Sequence, residues 1–175
     1  MQDKPKADQT KASAYVAALQ RLEGVLADAE AKSWQTLQGE VEKAVHFEQE
    51  AERLTAEEAS LLKAYVKRDL ASLLHFIRET GQGVREWLRF DLDVLETGLK
   101  RSLLAIADKT QVGQQQLEHQ LHHQEGAYVA GEVALPGMLR CTECGKMVCL
   151  VDVARVDPCH RCEGLYFRRI TGRDT

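Results

Sequence analysis

Four cysteines in the last third of the chain form two pairs, each with the spacing of a metal-binding knuckle. Cys141 and Cys144 enclose two residues and are followed by Gly145, and Cys159 and Cys162 repeat the spacing after a gap of fourteen residues. Four thiolates can surround one Zn²⁺ tetrahedrally and leave no open position, which is typical of a structural rather than a catalytic site. The spacing therefore predicts one structural zinc ion bound by these four cysteines.

The same cysteines could instead form an iron site or a redox pair. Iron is not excluded, because a tetrahedron of thiolates suits either metal. A redox pair of thioredoxin type would need a βαβ pattern around one C-x-x-C, and the sequence has none. The runs 146–153 and 165–170 are rich in β-branched, aromatic and apolar residues, which favours short strands beside the metal. The sequence thus predicts a small β zinc ribbon over residues 139–172.

The remaining cysteine and two glycines give further expectations for the ribbon. Cys149 has no partner at metal spacing, and we expect a small, buried, apolar residue in a strand. Gly145 suits the first knuckle because glycine tolerates a positive φ, whereas Gly164 lies one position later and predicts a looser second turn.

Cysteine usage and hydropathy bear on the compartment. Five cysteines, four of them at metal spacing, indicate a reducing cytosol rather than a disulfide framework. The first ten residues are polar and charged, and no stretch approaches the roughly 20 apolar residues of a membrane-spanning helix. We therefore expect a cytoplasmic protein with no membrane partner.

Charge is distributed unevenly along the chain. Residues 126–175 carry seven Lys/Arg and six Asp/Glu, which leaves 16 and 21 of the totals of 23 and 27 for residues 1–125. Net charge therefore does not favour nucleic acid as a partner, because its binders usually present a basic face. The ribbon still has a local cluster that could contact nucleic acid or a protein: Arg155, Arg161, Tyr166, Arg168 and Arg169.

Strand alternation divides part of this cluster. Tyr166 and Arg168 share one side of the last predicted strand. Phe167 and Arg169 share the other side, so one of the two pairs is expected in the core.

Three helical stretches precede the ribbon. Apolar residues at three- and four-residue steps predict one long amphipathic helix from about Ser13 to Leu54. The sequence Thr55-Ala-Glu-Glu58 is a capping box and predicts a second helix, which ends near Gly81. A heptad-like series of apolar residues predicts a third helix from Val84, continuing through Leu117 and Leu121.

The predicted fold class is mostly α, with a long antiparallel helical bundle or coiled-coil arm followed by the small β zinc ribbon. So long a bundle has a thin core, which favours self-association through the helices. The predicted segments are a disordered N-terminus (1–12), the helical domain (13–124), a linker with a lead-in strand (125–138) and the ribbon (139–172).

No other pattern indicates catalysis. His119 and His123 lie one helical turn apart, but a polar helix end explains them better than a metal clamp. The chain has no P-loop, no G-x-S-x-G and no G-x-G-x-x-G. We therefore expect a protein that is not an enzyme.

Several short motifs in fixed order resemble a known family. They are Asp108-Lys-Thr-Gln111, Leu121-His-His123, Tyr128, Gly131-Glu-Val133, Gly137, Leu139-Arg-Cys141-x-x-Cys144, Pro158-Cys159-x-x-Cys162 and Phe167-Arg-Arg169, with Val66-Lys-Arg-Asp-Leu70 upstream. The chain resembles the YbeL-like family of bacterial zinc-ribbon-containing proteins, most strongly over residues 108–170. The resemblance implies N-terminal helices followed by a zinc ribbon in the bacterial cytoplasm, with the two cysteine pairs as ligands and no catalytic residues.

The sequence favours a non-enzymatic adaptor that binds a protein partner, or itself, through the helices and uses the ribbon as a second contact surface. The alternative is nucleic-acid or transcription/translation-machinery binding through the arginines of the ribbon. A redox or metal-sensing role for the thiolates is a third hypothesis, which no residue singles out.

Overall fold

The computed structural model describes residues 4–27, 34–51, 54–109 and 127–172. Helices come first in the chain and strands follow, as predicted. The helices are α1 (Lys4–Ala27), α2 (Trp34–Glu50), α3 (Ala56–Thr80), α4 (Val84–Leu88) and α5 (Thr97–Lys109), with a 3₁₀ turn at Leu92–Val94. The strands are β1 (Ala127–Val129), β2 (Val133–Ala134), β3 (Gly137–Cys141), β4 (Met147–Leu150), β5 (Ala154–Arg155) and β6 (Tyr166–Ile170).

The first predicted helix is two helices that pack against each other. Arg21 Nε on α1 lies 3.1 Å from Glu48 Oε1 on α2, although one continuous helix would separate residues 27 positions apart by roughly 40 Å. The prediction of a single helix is therefore wrong, because periodicity shows a stripe but not a reversal of the chain. Helix α1 also begins at Lys4, inside the segment predicted to be disordered, with Pro5 in its first turn, where proline is tolerated.

Helix α3 begins and ends where the sequence predicts. The Thr55 hydroxyl accepts a hydrogen bond from the Glu58 backbone N–H at 3.2 Å, and the Glu58 carboxylate accepts one from the Thr55 N–H at 3.0 Å. At the other end Gly81 takes a left-handed conformation with φ of 66°. These caps satisfy backbone groups that an exposed helix end leaves unpaired.

The third predicted helix is interrupted. Arg89 ends α4 with a φ of 61°, and Glu96 starts α5 by accepting hydrogen bonds from the N–H groups of Gly98 and Leu99, each at 3.1 Å. Most residues of the heptad-like series are nevertheless buried: Leu88, Leu95, Leu99, Leu103 and Ile106. The spacing thus identified core positions, but the continuous coiled-coil helix is not present over residues 84–109.

The ribbon contains a four-stranded antiparallel sheet in the order β1-β6-β3-β4, and β2 pairs separately with β5. Strand β1 lies in the segment predicted as a linker with a lead-in strand, and it pairs with β6 of the ribbon sheet. The ribbon has its own core: Tyr128, Ala134, Leu139, Cys141, Val156, Cys159 and Phe167. Val133, Leu135 and Val153 pack instead into the helical core, which joins the ribbon to the helices.

The helical core lies where α1 packs against α2 and α5, and α2 against α3. Trp34 and Trp87 are buried there. Among the described residues, none of the helices has the length and apolar character needed to cross a membrane.

Candidate metal centre

The four predicted ligands meet at one end of the ribbon sheet. Cys141 Sγ lies 3.6 Å from Cys162 Sγ, Cys144 Sγ lies 3.6 Å from Cys159 Sγ, and all four sulfurs lie within 4.8 Å of one another. Four sulfurs at the usual Zn–S distance from one ion would be about 3.8 Å apart. The donor set and the spacing therefore fit a tetrahedral ion, and four protein ligands leave no position for a substrate.

The two knuckles have the same backbone hydrogen bonds. In the first, the Gly145 N–H bonds to the Cys141 carbonyl at 3.0 Å, and the Cys141 N–H bonds to the Lys146 carbonyl at 2.9 Å. In the second, the Glu163 N–H bonds to the Cys159 carbonyl at 2.7 Å, and the Cys159 N–H bonds to the Gly164 carbonyl at 2.9 Å. The second turn is thus as regular as the first.

The difference between the knuckles is the residue that takes the positive φ. Gly145 has a φ of 72°, and Glu163 occupies the equivalent position with a φ of 61°. A non-glycine residue in this region is uncommon because its Cβ is crowded by the backbone. The second knuckle is therefore strained where the first is not.

Backbone donors favour the thiolate at one ligand. The N–H of Arg161, together with that of Cys162 and contacts with neighbouring thiols, lowers the pKa of Cys159 to about 7, although burial opposes the shift. For Cys162 the N–H of Gly164 lowers the pKa, but the surrounding thiols and burial outweigh it and raise the pKa to about 12. Metal binding at this cluster must therefore displace protons, because the ligands are thiolates.

Cys149 differs from its prediction. It lies in a strand, β4, as expected, but it is exposed rather than buried. Its side chain projects from the face of the sheet opposite Leu139 and Phe167, because alternate residues point to opposite faces.

The five predicted contact residues do not form one surface. Tyr166 and Arg168 are exposed on β6, Arg161 is exposed in the second knuckle, and Arg155 lies on β5, 4.0 Å from Asp157. Arg169 is only 6% exposed, and Phe167 on the same side of β6 is buried. Of the two predicted pairs on this strand, Phe167 and Arg169 are therefore the pair in the core. Arg169 is therefore removed from the candidate contact surface.

The Arg169 guanidinium lies at the junction between the ribbon and the helices. Its Nε donates to Tyr128 Oη at 2.8 Å, its Nη2 to the Leu135 carbonyl at 2.9 Å and its Nη1 to the Pro136 carbonyl at 2.6 Å. The guanidinium also lies over the Trp87 ring, 4.2 Å from its centroid. Gly137 leaves room for this arrangement, since a Cβ there would collide with Arg169 Nη1.

The matching anion is Asp69 on α3, which is fully buried. One carboxylate oxygen accepts hydrogen bonds from Tyr15 Oη and from the Leu135 N–H, and the other accepts one from Tyr128 Oη, each at 2.8 Å. Burial raises the pKa of Asp69, but Arg68 and Arg169, together with these donors, hold it below its usual range. Asp69 is therefore a buried carboxylate that joins α1 and α3 to the ribbon.

Arg68 completes this cluster from the neighbouring position. Its Nε donates to Asp69 Oδ1 at 3.2 Å, its Nη1 pairs with Glu132, and its guanidinium lies 4.0 Å from the Tyr128 ring centroid. Tyr128 is thus held between two guanidinium groups, and burial raises its pKa to about 12. We call the cluster the buried anchor; it consists of Tyr15, Arg68, Asp69, Tyr128 and Arg169.

Sequence reasoning did not identify the buried anchor, although a signal was present. Asp69 lies on the apolar stripe of α3, three residues after Val66 and four before Leu73, where a carboxylate needs buried partners. Several anchor residues also lie in the motifs that carry the family resemblance. The motif positions 110, 111 and 121–123 lie outside the described residues, and so does His119.

In a comparison with family models, residues 25–171 match the family described as "Zinc-ribbon containing domain". The match spans α2 to α5, every residue of the buried anchor except Tyr15, and all four cysteines. Comparisons with curated proteins and with solved structures gave no match.

Proposed function

The chain belongs to the zinc-ribbon containing domain family, and from that premise we propose that it is a non-enzymatic, cytoplasmic adaptor whose metal is a structural zinc ion. The observation that carries the proposal is the buried anchor. It fixes the ribbon on the helices, so that a partner would meet both at a defined relative position. The narrower YbeL-like assignment remains a prediction.

The metal has a supporting role in this proposal. Four cysteines satisfy the coordination preference of zinc, so the ion would hold the knuckles in shape and supply no open site for chemistry. Reduced thiols are needed for binding, which is consistent with the cytosol. Elemental analysis of protein purified from its native source would separate zinc from iron, and a coloured iron–thiolate species would contradict the zinc assignment.

Two exposed surfaces could receive a partner. On the helices, Phe47 of α2 and Leu61 of α3 are each about half exposed, at 49% and 50%. On the ribbon, the outer side of the four-stranded sheet exposes Tyr166, Arg168 and Met147. An adaptor needs both surfaces held together, and this is what the buried anchor would accomplish.

The test is affinity capture from native cytosol at physiological salt, with sizing of the captured complexes. We expect the wild-type chain and the exposed control Asp93→Asn to retain the same proteins, or a second copy of the chain. Asp69→Asn, which weakens the anchor, should lose those that need both surfaces. A non-interacting monomer in every sample would contradict the adaptor proposal.

A further inference from the structure

Part of one side of the four-stranded sheet is exposed, although Ile170 at the end of β6 lies on the same side and is buried. Register places one row across all four strands, in which Ala127 is paired with Arg168, Arg168 with Arg140, and Arg140 with Met147. All four side chains of this row are exposed. Tyr166, two residues from Arg168 on the same side of β6, is 53% exposed. We call these residues the open face: Ala127, Arg140, Met147, Tyr166 and Arg168.

The two arginines of the open face lie directly opposite each other on neighbouring strands. Cross-strand neighbours have Cβ atoms about 4.5–5.5 Å apart, and like charges in such a pair destabilise a sheet. Within the described part of the chain, neither Arg140 nor Arg168 forms an ion pair with a carboxylate. The pair is therefore a concentrated positive charge that an external anion would neutralise.

Tyr166 indicates which class of anion the open face would bind. Tyr166 is about 6.6 Å along the strand from Arg168, so its ring and the two guanidinium groups are accessible from the same side. An acidic protein segment would satisfy the arginines alone. A single-stranded nucleic acid would satisfy the arginines with phosphates and the ring with a base, since every base can stack on an aromatic side chain.

We propose that the open face binds single-stranded nucleic acid, with Arg140 and Arg168 on phosphates and Tyr166 stacked on a base. The inference rests on the proposed function, in which this face of the ribbon is a contact surface. It replaces Arg155, Arg161 and Arg169 of the predicted contact set by Arg140, which the register places beside Arg168.

The negative net charge of the chain does not prevent this binding. At physiological ionic strength charges are screened over about 8 Å, so the local arginine pair outweighs distant acids. Several acids on the helices are moreover paired already, such as Glu42 with Lys67 at 2.6 Å and Glu48 with Arg21 at 3.1 Å. Two phosphate contacts nevertheless imply modest affinity that falls with salt.

The test uses the zinc-loaded full chain and a fluorescent uridine oligonucleotide, with anisotropy as the readout. Two phosphate contacts to a single strand predict a slope of about −1.4 for log K against log salt, a loss of about sevenfold between about 50 and 200 mM. Arg140→Gln with Arg168→Gln should abolish the slope. Arg85→Gln with Arg101→Gln is the matched control, because it removes the same charge from exposed helical positions.

The stacking contact has its own variant. Tyr166→Leu should weaken binding by about 5- to 150-fold while leaving the salt slope unchanged. Zinc content and circular dichroism must match the wild type for every variant, so that unfolding does not imitate lost binding. Equal binding by the open-face double variant and its control would overturn the inference. So would a glutamate-rich peptide that binds as tightly as the oligonucleotide and whose affinity is unchanged by Tyr166→Leu.

The two proposals can fail separately. If protein capture depends on Arg140 and Arg168 while the oligonucleotide does not bind, the adaptor proposal stands and the nucleic-acid inference is wrong. If the oligonucleotide binds with the expected slope but no protein is captured, the adaptor proposal is wrong and the open face is a nucleic-acid site.

Discussion

The two ends of the ribbon sheet are stabilised differently, one by residues close in the chain and the other by residues far apart. At the metal end, four cysteines within residues 141–162 converge through two short turns. At the other end, the buried anchor draws Tyr15, Arg68 and Asp69 from helices and Tyr128 and Arg169 from strands. Strands β3 and β6 run between the two ends. A local metal site thus shapes the ribbon, while long-range contacts attach it to the helices.

The comparison predicts that losing the metal and losing the anchor have different consequences. We expect the largest effect from metal removal by a chelator, or from Cys159→Ser, because so small a sheet depends on its ion. Amide NMR signals of residues 137–170 should collapse towards unfolded positions while most helical circular dichroism remains. Simultaneous loss of both signals would show that the helices need the ribbon in order to fold.

Asp69→Ala should have the next largest effect and should leave zinc bound. It removes the buried carboxylate that faces Arg68 and Arg169, and such a change typically costs about 3–5 kcal/mol of unfolding free energy. Urea denaturation would measure the loss, with the exposed Asp93→Ala as the control for removing a negative charge. A loss below about 1 kcal/mol would mean that the anchor contributes little to the attachment of the ribbon.

Gly137→Ala tests the space beside Arg169. Gly131 is the matched control, because it also has a positive φ, of 102°, but no atom lies within 4 Å of its added Cβ. Both variants should incur about 1–2 kcal/mol of backbone strain. Gly137→Ala should lose about 1–3 kcal/mol more, because Arg169 must give up hydrogen bonds. Equal losses in urea denaturation would show that Arg169 moves aside freely.

The smallest effects distinguish the two knuckles. Glu163→Gly should raise stability by less than about 1 kcal/mol, since it relieves left-handed strain but makes the unfolded chain more flexible. Gly145→Ala should instead lower stability by about 1–2 kcal/mol. Thermal denaturation of the zinc-loaded proteins would show the opposite signs. If both variants lowered the stability, Glu163 would make a contact that compensates for its backbone strain.

The sequence predicted features that depend on neighbouring residues better than it predicted long-range contacts. The cysteine spacing, the Thr55 capping box and the alternation along β6 each depend on residues close in the chain, and each predicted its feature. The reversal between α1 and α2 and the break after Arg89 were missed, because the apolar stripe continues through both. Asp69 could have been flagged as polar on a buried stripe, but its hydrogen-bond partners lie up to 66 residues away.

The alternation of β6 has a consequence for folding fidelity. Arg168 and Arg169 are adjacent and identical, so a one-residue slip of β6 against β3 would present Arg168 to Asp69 and turn Arg169 outward. The slipped sheet would keep a cation opposite the carboxylate, and charge alone would discriminate weakly against it. The slip would also turn the buried Phe167 to solvent, which opposes it. A metal bound to Cys162, four residues before β6, would further fix the register and so help to determine which of the two arginines is buried.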